Sequence, residues 1–197
     1  MDTLLVLAIF ANLLFLLIIV ELLHKNYELR KRAENFDDVK LWHTLAFKDD
    51  LTGLYNRNAY SRHADEIEKL DTTKGYAIML FDVDNFKKIN DTKGHLEGDA
   101  VLRCVAKMLI SVFSSHIYTV YRIGGDEFAV IAENITEKQI ISTLLRLSKD
   151  MEKSGDVRLS KGYSMIQGSV KNAFKNADDM LYADKESKKQ LIKNEKV

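Results

Sequence analysis

Residues 117–132 read Ile117-Tyr-Thr-Val-Tyr-Arg-Ile-Gly-Gly-Asp-Glu-Phe-Ala-Val-Ile-Ala132, two apolar runs parted by Gly124-Gly125-Asp126-Glu127. β-Branched and aromatic residues on both sides of a glycine pair predict strands over Ile117–Ile123 and Phe128–Ala132, joined as a hairpin. Tight primed turns need positive φ, which puts the glycine pair in left-handed backbone. Upstream, Tyr76-Ala-Ile-Met-Leu-Phe81 is a short apolar run between Lys74-Gly75 and Asp82, the pattern of a buried strand. Between that run and the hairpin, Val101, Val105, Met108 and Val112 recur at helical spacing, predicting a helix from about Gly98 to Phe113. A helix over Arg57–Leu70, with Tyr60, Ala64, Ile67 and Leu70 on one stripe, precedes the first strand. A helix (Glu137–Lys153), a strand (Val157–Ile166) and a helix (Val170–Lys185) follow the hairpin.

The core order is therefore β-α-β-β-α-β with extra helices, which predicts an α/β (α+β) sandwich of the ferredoxin-like or palm type. Composition agrees with a folded domain and something extra. Of 197 residues 46% are apolar, Pro is absent and Gly numbers 9, which excludes collagen-like and low-complexity chains. The 29 basic and 29 acidic side chains cancel, which argues against a nucleic acid polymer as partner. Cys104 is the only cysteine, so no internal disulfide forms. His24, His43, His63, His95 and His116 are too scattered for a zinc site.

Residues 4–23 are apolar apart from Asn12 and Glu21, a stretch of about 30 Å as a helix, which matches the hydrocarbon thickness of a membrane. A cleaved signal peptide would want a basic flank before the run, whereas Met1-Asp2-Thr3 stands there. Lys25, Arg30, Lys31 and Arg32 follow the run, so residues beyond it are expected on the cytoplasmic side of a single-pass anchor. Residues 24–48 carry apolar positions Leu29, Ala33, Phe36, Val39, Leu41 or Trp42, Leu45 and Ala46, the spacing of an amphipathic helix. Such a helix either zips two chains together or packs on its own domain. The expected division is anchor 1–23, linker helix 24–48, folded domain 49–192 and tail 193–197.

The first strand ends in Phe81-Asp82-Val83-Asp84, and the hairpin bend adds Asp126 and Glu127. Carboxylates at i and i+2 of a strand share one face, and this topology sets the first strand beside the hairpin. Hard oxygens gathered this way suit Mg²⁺, or Mn²⁺, shared with a phosphate; the plain alternative is acids that merely solubilise turns.

Further motifs narrow the reading. Asp49-Asp-Leu-Thr-Gly-Leu-Tyr-Asn-Arg57 precedes the first domain helix, Asp82-Val-Asp-Asn-Phe-Lys-Lys-Ile-Asn-Asp91 ends the first strand, and Gly94-His-Leu-Glu-Gly-Asp99 opens the next helix. With Arg122-Ile-Gly-Gly-Asp-Glu-Phe128, this set closely resembles the GGDEF family of diguanylate cyclases over about Asp49–Lys189. The resemblance implies a homodimer in which the 3′-hydroxyl of each GTP attacks the α-phosphate of the other. The product would be cyclic di-GMP, with two pyrophosphates released, at a bacterial inner membrane. It implies Asp82, Asp126 and the Val83 carbonyl as metal ligands, and Glu127 as the group assisting deprotonation. Gly124 and Gly125 would let the nucleotide approach, Asn90 and Asp99 would read guanine, and Lys87, Lys185 and Lys189 would hold the triphosphate. The family's closing helix reads Ala-Asp-x-Ala-Leu-Tyr-x-Ala-Lys-x-x-Gly-Arg-Asn; here Ala177-Asp-Asp-Met-Leu-Tyr-Ala-Asp-Lys-Glu-Ser-Lys-Lys-Gln190 stands instead. Lys189 thus replaces an arginine and loses its planar fork. Ser115 and Tyr118 occupy the positions of an Arg-x-x-Asp product-inhibition site found in many relatives, so that site is expected to be missing. A catalytically silent module that binds GTP or a partner is the alternative.

Overall fold

Strand β1 (Ala77–Val83) is buried along its whole length, which is why its sequence is continuously apolar rather than alternating. In the computed structural model the chain continues through α3 (Phe86–Lys93), α4 (His95–Val112), β2 (Tyr118–Arg122), β3 (Glu127–Ala132), α5 (Glu137–Ser154), β4 (Leu159–Met165) and α6 (Val170–Asn194). Upstream lie α1 (Thr3–Phe47) and α2 (Arg57–Glu68). The backbone is described for residues 3–70, 74–154 and 157–194, and within these the side chains of all but 3–11, 32–41, 43, 154 and 192–194. The side chains of the expected tail, 193–197, lie outside that set.

The four strands form one antiparallel sheet in the order β2-β3-β1-β4. This is the expected β-α-β-β-α-β topology. Met79 and Phe81 face one side, with Val105 and Leu109 of α4 and Ile140 and Leu147 of α5. Ile78 and Leu80 face the other, with Ile67 of α2 and Ala173, Ala177 and Leu181 of α6. The extra helices thus turn a two-layer sandwich into three layers. At Gly162 β4 lies so close to α6 that an added Cβ would overlap the Ala177 carbonyl oxygen and come within 2.5 Å of the Leu181 nitrogen.

Two expectations change. The glycine pair of the hairpin is not left-handed: positive φ among glycines falls at Gly53, Gly75, Gly94 and Gly168 only among the described residues. A loop from Ile123 to Asp126 separates the strands, long enough to reverse the chain without a primed turn. The short α3 follows β1 directly, entered through Asn85 in left-handed backbone at φ 58°. Eight mostly polar residues carry too little apolar periodicity to announce it.

Contacts divide the chain into two units, Met1–Leu45 and Ala46–Val197. The first is the body of α1, helical without a break and free of Gly and Pro. Leu13, Phe15, Leu17, Val20 and Leu23 are exposed on it, as are Leu29, Trp42 and Leu45 further along. Among the described residues no helix is long and apolar enough to cross a membrane, so the transmembrane helix expected over 4–23 is not found among them. Positions 4–11 of that span, and Ala33, Phe36, Val39 and Leu41 of the amphipathic stripe, lie outside the described side chains.

Candidate active site

Asp82 and Asp84 point to the α6 side of the sheet, because side chains on a strand alternate with period two. Lys185 and Lys188, three residues apart on α6, meet them there: Lys185 Nζ lies 2.7 Å from Asp82 Oδ2 and Lys188 Nζ 3.6 Å from Asp84 Oδ2. Ser160, opposite Asp82 on β4, donates from Oγ to Asp84 Oδ1 at 2.5 Å. Asp82 is only 8% exposed, and burial pushes its carboxyl above the ordinary range. The negative charges of Asp126 and Glu127 push the same way, while Lys185 opposes them.

The hairpin bend closes against the end of β1. The Val83 N–H donates to the Asp126 carbonyl at 3.2 Å, and Asp82 stands opposite Glu127 in the ladder. Arg122 braces the bend from below. Its guanidinium donates to both Asp49 oxygens, at 3.0 and 3.1 Å, and to the Gly125 carbonyl at 2.7 Å. Burial alone would raise the Asp49 carboxyl, but bonds from Thr52 and Arg122 outweigh it and hold the group low. At Gly124 an added Cβ would collide with the Glu127 carboxylate, whereas at Gly125 nothing lies within 4 Å.

Asp82, Val83, Lys87, Asp126, Lys185 and Lys189 line one cavity of about 520 Å³. Asp84, which the sequence pairs with Asp82 on one face, shares its wall, as do Asn85, Arg158 and Lys188, which sequence reading passed over. Lys188 was nonetheless detectable, since positions 185, 188 and 189 share a helix face. Glu127, Gly124 and Gly125 stand beside the cavity rather than in its wall. Asn90 and Asp99 lie apart from it, on α3 and α4. Asn90 Oδ1 is buried without a hydrogen-bond partner among the described residues, packed so tightly on Gly98 that a Cβ there would overlap it. Asp99, the next residue, is half-buried, 3.9 Å from Arg103. Lys189 is turned outward to Glu186 at 2.7 Å. A second hollow of about 550 Å³, between β4 and α6, has Glu137 as its only charged lining residue and so offers no comparable chemistry.

The family model described as "Diguanylate cyclase, GGDEF domain" matches residues 46–191. The chain belongs to the GGDEF family. Probable diguanylate cyclase DgcI of Escherichia coli is 38% identical over 162 residues, covering 79% of this chain and 35% of that protein. An uncharacterized membrane protein of Staphylococcus haemolyticus is 30% identical over 181 residues, covering 79% of this chain and 51% of that protein. The chain thus spans about half the length, or less, of the curated relatives it matches. Among solved structures, the coiled coil and GGDEF domain of DgcB from Caulobacter crescentus, in complex with c-di-GMP, superposes with a TM-score of 0.73. Its identity is 26%, with 85% of this chain and 94% of that one covered.

In this GGDEF domain Ser115 and Tyr118 line a small hollow with Arg146, whose guanidinium donates to the Val112 carbonyl. Among the described residues no group of three or more His, Cys, Asp or Glu side chains gathers for a metal. The expected set, two carboxylates and a carbonyl, still fits a hard divalent cation. Asp82 is a nearly buried acid crowded by like charge, which a cation relieves. The same burial, with the crowding added, weakens the metal-free fold. A folded-state value above the unfolded one gives stability that is full below the ordinary carboxylate range and is lost as pH rises through the folded value. Asp82→Asn is therefore expected to raise the melting temperature of metal-free protein at pH 7. The gain should shrink below pH 4 in thermal melts recorded across pH.

Proposed function

We propose that this chain is a membrane-anchored diguanylate cyclase that condenses two GTP into cyclic di-GMP and two pyrophosphates. The observation that carries the reading is the convergence of Asp82, Val83 and Asp126 with Lys87, Lys185 and Lys189 on one cavity of a GGDEF domain. Asp82, Asp126 and the Val83 carbonyl would hold Mg²⁺, or Mn²⁺. When bound, such an ion offsets phosphate charge and acidifies the attacking hydroxyl. Lys185 leaves Asp82 to meet the triphosphate, joined by Lys87 and by Lys189 once it swings from Glu186. Glu127, in reach of the bend, takes the 3′-hydroxyl proton as the oxygen attacks the α-phosphate and pyrophosphate departs. Gly125 leaves open space where the nucleotide approaches. Asn90 and Asp99 read guanine: a carboxylate accepts from N1–H and the N2 amine, a donor pair that adenine lacks.

Each domain holds one GTP, so turnover needs two chains face to face. The apolar run 4–23 with basic residues after it supports a single-pass anchor with the domain in the cytoplasm. The name of the staphylococcal relative, a membrane protein, supports the same reading. No nucleic acid polymer takes part. Ser115 and Tyr118 in place of Arg and Asp remove the primary product-inhibition site.

Incubating the protein with Mg²⁺ and GTP, or ATP as control, and weighing the nucleotides tests the reading; absence of a cyclic dinucleotide from dimeric protein overturns it. Asp99→Ala is expected to cut the preference for GTP over ATP about 10- to 100-fold, the 1–3 kcal/mol of a paired base contact. Unchanged discrimination would remove Asp99 from the guanine site. Removing residues 1–45, which leaves the compact unit intact, should make the specific activity climb with protein concentration. A flat dilution series would show that α1 does not pair the domains.

A further inference from the structure

Asp184 and Lys188 both depart from the closing-helix pattern quoted above, which has alanine and glycine there. In the structure these two residues bind each other. Lys188 Nζ lies 2.7 Å from Asp184 Oδ2, one helical turn away. Both also grip β4, an edge strand whose outward backbone groups have no neighbouring strand. Lys188 donates to the Leu159 carbonyl at 2.7 Å, and Asp184 Oδ2 accepts the Lys161 N–H at 3.0 Å. One acceptor and one donor of the edge are thereby satisfied by a single ion pair. Lys188 also reaches Ser160 Oγ at 3.4 Å, the hydroxyl that holds Asp84. Where glycine commonly closes a helix, α6 instead runs on to Asn194.

The clip brackets Lys185. Asp184 precedes it and Lys188 lies one turn beyond, so pinning both to β4 fixes the direction in which Lys185 leaves the helix, toward Asp82 at 2.7 Å. Lys189, by contrast, meets Glu186 on the exposed face and, among the described residues, no group of β4. A lysine at position 189 grips phosphate less firmly than arginine's fork, which leaves Lys185 as the aimed cation of the helix.

We propose that Asp184 and Lys188 are positioning residues for the phosphate end of the site, setting the affinity for GTP by holding Lys185 on line. The proposal rests on the cyclase reading for its substrate. Lys188 shares the cavity wall, but its donors are already engaged, so neither residue needs to touch the nucleotide. Lys188 spends its three protons on Leu159, Asp184 and the Ser160–Asp84 pair.

The test uses the full chain with Mg²⁺–GTP, measuring KM and kcat separately, binding of Mg²⁺–GTP by calorimetry, and the melting temperature. Lys188→Met should raise KM and weaken binding about tenfold while kcat changes less than twofold. Lys188→Arg, which keeps charge and donors, should recover most of the loss. Asp184→Asn should match Lys188→Met, and the double variant should be no worse than either alone. Lys188→Met that binds Mg²⁺–GTP as tightly as the parent overturns the proposal, as does a loss in kcat at constant KM. If Lys188→Met fails to fold, Asp184→Asn decides by the same criteria. Parent protein that binds Mg²⁺–GTP yet makes no cyclic dinucleotide overturns the cyclase reading, and the binding comparison then judges the clip alone. Parent protein that does neither overturns both.

Discussion

Asp126→Ala is expected to lower the rate of cyclic dinucleotide formation by about a thousandfold or more at saturating Mg²⁺, while the fold survives. The rate follows from the loss of one of two carboxylates that would share the ion, a loss of several kcal/mol of charge stabilisation at the reacting phosphate. Survival of the fold follows from what the side chain does not do. The bend is held by the Asp126 carbonyl, which accepts from Val83 N–H at 3.2 Å, and by Arg122 on the Gly125 carbonyl. Backbone groups carry both bonds, so truncating the side chain leaves them in place. It also removes a charge that crowds Asp82, which eases the metal-free protein. Product analysis alongside circular dichroism checks both halves. A folded variant with full activity would dismiss the metal assignment.

The second large effect concerns stability alone. Gly162→Ala should cost about 3 kcal/mol or more, because the new Cβ meets the backbone of α6 at Ala177 and Leu181 rather than a flexible side-chain tip. Neither helix nor strand yields cheaply. Leu181, Ala177 and Ala173 are buried against Ile78 and Leu80, and β4 is paired with β1 from Leu159 to Met165. For a domain of this size such a loss lowers the melting temperature by roughly 6–12 °C. Thermal unfolding of the variant checks it, and a shift below about 2 °C would show that the two elements can part without strain.

Much of the fold was legible because its signals are local. The buried run before Asp82, the hairpin runs around Gly124 and the helical stripe of Val101, Val105 and Val112 each fix an element type, and their order fixes the sheet. What escaped depends on distant partners. α3 is short and half charged, and what ties it to the domain is Phe86 packed on the core rather than an apolar stripe of its own. The glycine pair was misread because a four-residue bend and a primed turn look alike in sequence. In the site, Asp82 and Asp126 could be brought together from topology alone. The pairing of Lys185 with Asp82 and of Lys188 with Asp84 could not, since it depends on where α6 crosses the sheet. The proposed reading of guanine by Asn90 and Asp99 rests on resemblance and, for Asp99, on the donor pair of the base's edge; neither residue lines the cavity.

The two adjacent glycines of the signature answer to different masters. At residue 124 the room is taken by the molecule's own glutamate, so a methyl group there asks that side chain to swing aside. Residue 125 borders open space, and among the described residues no atom within 4 Å forbids a methyl group there. The neighbouring positions thus differ in kind: a methyl group at the first displaces the chain's own glutamate, while one at the second would be felt only by something arriving from outside.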